Sequence, residues 1–60
     1  MGMDANGLRA RAAEMRARAE KLHQDAQQIT DPSMLDAYTA MIAEYDTLAT
    51  QLERMAADFR

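Results

Sequence analysis

In the first half of the chain, large apolar residues recur every seven positions, at Leu8, Met15, Leu22 and Ile29. A second column, Ala5, Ala12, Ala19 and Ala26, alternates with the first at steps of three and four. Such spacing keeps both columns on one stripe of an α-helix, with Ala at a and a bulky residue at d of a heptad. The second half repeats the pattern. Leu35, Ile42, Ala49 and Ala56 occupy a, and Tyr38, Tyr45, Leu52 and Phe59 occupy d.

Between the two patterns lies Ile29-Thr30-Asp31-Pro32-Ser33, with the chain's only Pro. Pro disfavours helix at the residue before it and is tolerated at a first helical position. Asp31 is a good N-cap, because its carboxylate can accept a backbone N–H of the next turn. Ser33 with Asp36 offers a second capping box one turn in. At the start, Asp4 or Asn6 can cap the first helix. The chain therefore reads as all-α, with helices at about 6–29 and 32–59 in a single domain over 1–60, and with 1–5 frayed. A connection this short makes the helices antiparallel neighbours.

Folding the hairpin about Pro32 pairs a and d residues whose numbers add to about 64. The layers are Ala5/Phe59, Leu8/Ala56, Ala12/Leu52, Met15/Ala49, Ala19/Tyr45, Leu22/Ile42, Ala26/Tyr38 and Ile29/Leu35. Six of the eight set a small residue against a large one, the alternation that close packing wants. At the flanking e positions Arg9 falls near Glu53, Arg16 near Asp46 and His23 near Thr39.

Charge fits this arrangement. Net charge is −3, but residues 1–30 carry five bases against four acids, and residues 31–60 carry two bases against six acids. The asymmetry reads mostly as complementarity between the two helices. Ion pairs across the seam favour one register over others.

One apolar column is left over. Met34, Met41, Leu48 and Met55 lie at g of the second helix, where a two-helix contact does not need them. Apolar residues exposed in line usually mark a partner site. A chain this small has little core, and there is no Cys for a disulfide. Pairing with itself is therefore the expected staple, two hairpins forming a C2 four-helix bundle. In the opposing reading, Arg11 and Arg18 lay their stems over the column and the hairpin stays a monomer. Met-rich surfaces also adapt to varied partners, so a different protein docking on this face is an alternative.

Arg9, Arg11, Arg16 and Arg18 form the candidate nucleic-acid stripe, since Arg forks match phosphate. Against it stand Glu14 and Glu20 on the same helix, the negative net charge and the lack of an aromatic residue there to stack on bases. No enzyme is expected. There is no nucleophile–base pair or Gly-rich loop, and a hairpin offers little room for a pocket. Tyr38 and Tyr45 read as core residues with hydroxyls at the bundle edge. Glu20-Lys21-Leu22-His23 has the Glu-x-x-His spacing of bundle metal sites, but Glu20 falls at b, away from the seam. No metal or cofactor is expected.

The longest apolar runs are a few residues, so no membrane span is expected. The start has no basic stretch leading into an apolar run, so no signal peptide is expected either. Met1-Gly2 begins like a myristoylation site, but Asn6 stands where Ser or Thr is wanted. The expected location is the cytoplasm.

Arg9-Ala10-Arg11-Ala12, Thr30-Asp31-Pro32 and Tyr45-Asp46-Thr47-Leu48-Ala49 together resemble small bacterial helical-hairpin proteins, which share an Arg/Ala-rich first helix, an Asp-Pro turn and Tyr-x-x-Leu-Ala. That resemblance implies a fold and no activity. In length and layout the chain is also similar to the Rop type of hairpin dimer, which binds paired RNA loops. No motif here matches its RNA-contacting residues, so RNA binding rests on that analogy alone.

Overall fold

The computed structural model describes residues 4–59. Two helices, α1 (Ala5–Ala26) and α2 (Pro32–Asp58), pack against each other as an antiparallel hairpin. The molecule measures 46 × 16 × 13 Å, so it is one helix thick. Among the described residues there is no strand, cis peptide or positive-φ residue.

Each helix starts on an aspartate. Asp4 has extended backbone and its Oδ1 accepts the Gly7 N–H at 2.7 Å. Asn6 is already helical, so the cap falls to Asp4. Ala5 is thus the first helical residue, one before the expected start at 6. Residues 1–3, with the Met1-Gly2 dipeptide, lie outside the described residues.

At α2, Asp31 Oδ2 accepts the Met34 N–H at 3.2 Å, and Pro32 occupies the first turn, where its missing donor costs nothing. The Ser33–Asp36 box does not act as a cap. Ser33 already has helical backbone, whereas an N-cap residue must stand outside the helix.

Helix α1 ends three residues before the expected Ile29. The amides of Gln27, Gln28 and Ile29 bond to the carbonyls of Gln24, Asp25 and Ala26, three residues back rather than four. That tightening closes the helix as a 3₁₀-like turn and satisfies end carbonyls without a left-handed residue. Ile29 leaves the α path but remains half-buried. Helix α2 ends at Asp58, one residue early, where Phe59 turns extended with ψ 130°.

The heptad seam is the packed line of the molecule. Leu8, Ala12, Ala19, Ala49 and Ala56 are buried, and every other seam residue except Phe59 is half-buried. Phe59, expected at d against Ala5, lies past the helix end and is 47% exposed. Ala19 shares one side of the seam with Ile42, and Leu22 shares the other with Tyr45. Four of the five buried residues are alanines, because in a single layer of two helices a small side chain can vanish into the seam while a large one keeps one side open.

Candidate functional site: the open face of the hairpin

The seam divides the surface into two sides of opposite character. On the e side, Arg16 is held by two acids of α2. Its Nη2 and Nε donate to Glu53 Oε1 and Oε2 at 2.6 and 3.0 Å, and its Nη1 lies 3.7 Å from Asp46 Oδ1. The fork on Glu53 is bidentate, the strong geometry for an Arg–carboxylate pair. The hydrogen bonds from Arg16 hold the Glu53 carboxyl below the usual glutamate range, and partial desolvation opposes them. The expected Arg16–Asp46 pair is therefore present as the longer arm of a three-residue cluster.

The expected Arg9–Glu53 pair is not formed. Glu53 is taken by Arg16, and Arg9 turns back to Asn6 Oδ1 at 3.4 Å within its own helix. Nor does Thr39 engage His23; its hydroxyl donates to the Leu35 carbonyl at 2.9 Å. His23 stays on the exposed e side with Arg16, Glu20 and Asp46.

On the g side stands the leftover column. Met34, Met41, Leu48 and Met55 are 50%, 38%, 46% and 55% exposed. They lie about 10.5 Å apart along α2, since each step is seven residues of helix. Arg18 borders Met41, the least exposed of the four, together with Leu22 and Tyr45. Arg18 thus stands beside one residue of the column, and all four remain 38–55% exposed. At the free end of the hairpin Phe59 joins it, lining a shallow depression of about 420 Å³ with Leu8, Met55 and Asp58. Sequence reasoning missed this contribution, because Phe59 joins the open face only by leaving the helix.

The four arginines do not make one surface. Arg16 is committed to Glu53 and Asp46 on the e side, and Arg9 bonds Asn6. Arg11 and Arg18 are exposed at g positions; Arg18 lies beside Lys21, which donates to Asp25 at 2.7 Å. No described polar or charged side chain is buried, and none has a buried nitrogen or oxygen without a partner. No described group of three or more His, Asp or Glu gathers as metal ligands. Glu20 and His23 are both exposed. No described helix is long and apolar enough to cross a membrane.

The g side thus presents an apolar ridge on α2, with Arg18 and Lys21 of α1 beside Met41. No protein-family model, curated protein or solved structure matches this chain.

Proposed function

We propose that this chain is a non-enzymatic, cytoplasmic, homo-oligomerising interaction module, in which two hairpins join through Met34, Met41, Leu48 and Met55 into a four-helix bundle. The observation that carries the reading is the column itself: four large apolar side chains in line, each 38–55% exposed. Isolated exposed apolar residues are ordinary, but a continuous line of them is not.

Surface area supports the same reading. A compact monomer of 6.7 kDa exposes about 3,900 Å² by the usual scaling. The hairpin exposes 4648 Å². The excess, about 700 Å², is close to the roughly 800 Å² that each partner gives up in a standard interface. Covering that much on pairing would leave each protomer exposing about as much as a compact monomer of its own mass.

Sedimentation at micromolar concentration tests the proposal. The wild type should sediment as a dimer, and Met41→Glu/Leu48→Glu as a monomer that keeps its helical circular dichroism. A monomeric wild type overturns it.

The adaptability of methionine supports a second reading, an adaptor docking this face on a different protein. Nucleic-acid binding through Arg9, Arg11, Arg16 and Arg18 is weaker than the sequence suggested, because the commitment of Arg16 splits the stripe.

A further inference from the structure

We infer that the second copy docks antiparallel, α2 on α2, with the two-fold axis crossing between Met41 and Leu48. This rests on the dimer proposed above and adds its arrangement. Two placements of a two-fold axis join hairpins face to face. An axis along the helices sets α2 of one copy against α1 of the other. An axis across them sets α2 against α2.

The surface discriminates between the two. The column of α1 that corresponds to the methionines is Arg11, Arg18 and Asp25. An axis along the helices would seat the apolar ridge of each copy on that charged column. An axis across them seats apolar on apolar. Because the ridge is evenly spaced, one centre engages all four residues: Met41 meets Leu48 of the second copy, and Met34 meets Met55. A slip of one heptad leaves one residue of the ridge unmatched at each end.

The relief of α2 fits the same centre. Glu44, Thr47, Leu48 and Gln51 follow the i, i+3, i+4, i+7 spacing of a coiled-coil hole, and they line a shallow depression on the side of α2 beside the ridge. Ala43 borders it. In the antiparallel register the residue of the second copy opposite the middle of this hole is Met41, an unbranched side chain suited to filling it. One heptad towards the N-terminus, Ala37, Ala40, Met41 and Glu44 have the same spacing, and their two alanines leave room for the partner's Leu48.

Directed disulfide formation tests the arrangement, because the natural chain has no Cys. Met41→Cys and Leu48→Cys proteins are oxidised separately and as an equimolar mixture, after circular dichroism confirms that each is helical. The expected result is a cross-linked mixed dimer as the main product of the mixture, with little product from either protein alone. In this register, a residue and its own symmetry copy stand about one heptad, or 10.5 Å, apart along the helix, beyond the reach of a disulfide. Efficient cross-linking of each variant with itself indicates parallel α2 helices and overturns the inference. No cross-link, with a dimeric wild type by sedimentation, means that α2 packs on α1 and overturns the arrangement alone. A monomeric wild type removes the dimer and the arrangement together.

Discussion

Truncating Leu48 to Ala separates what this side chain contributes inside the hairpin from what it contributes between hairpins. The change removes three carbons, worth about 2.4 kcal/mol if fully buried at roughly 0.8 kcal/mol per carbon. Leu48 is 46% exposed in the single hairpin. Close to half of that total, about 1 kcal/mol per copy, is thus available only to an interface. Two copies lose about 2 kcal/mol of association, a weakening of about 30-fold in Kd. The remaining half acts within the hairpin and lowers its stability by about 1 kcal/mol. Sedimentation equilibrium over a concentration series reads the first quantity, and urea unfolding of the dilute monomer reads the second. Leu48→Met, which keeps the apolar volume, should restore most of the association. A Kd within threefold of wild type for Leu48→Ala, alongside the expected loss of monomer stability, would refute the reasoning. Leu48 would then be an ordinary exposed residue.

Other expectations concern the hairpin itself. Asp31→Ala should cost about 1 kcal/mol of stability as a lost N-cap, whereas Ser33→Ala should cost nearly nothing, since Ser33 is already helical; equal losses in thermal melts would contradict the capping assignment. Ala49→Leu should destabilise by about 1–3 kcal/mol, because Ala49 is 0% exposed and the seam has no room for a larger side chain; an unchanged or raised Tm would mean that the seam can open. The Glu53 carboxyl is held below its usual range in the folded chain, so its contribution is complete above the ordinary glutamate pKa and fades as pH falls through the lowered value. Glu53→Gln should accordingly flatten the acid limb of the stability–pH curve, and a limb identical to wild type would show that the Arg16 bridge does not contribute.

Much of this protein is set by local rules, which is why it can be read from the residues. Heptad spacing named every seam position, and the folded chain buries or half-buries all of them but Phe59. Asp31-Pro32 fixed the start of α2, because capping and the geometry of proline act within a few residues. The Met34–Met41–Leu48–Met55 column was legible for the same reason: a third apolar column is surplus to a two-helix contact. The tertiary structure decided matters in which side chains compete across the seam or at helix ends. Arg16 reaches both acids and takes Glu53, leaving Arg9 to Asn6, since a long guanidinium can select among carboxylates on neighbouring turns. The 3₁₀-like turn that ends α1 before Ile29 and the departure of Phe59 onto the open face depend on where each helix runs out of partners. Periodicity does not encode that. The exposure of the column was likewise settled only in three dimensions, because whether Arg11 and Arg18 could cover it depended on where the first helix came to lie.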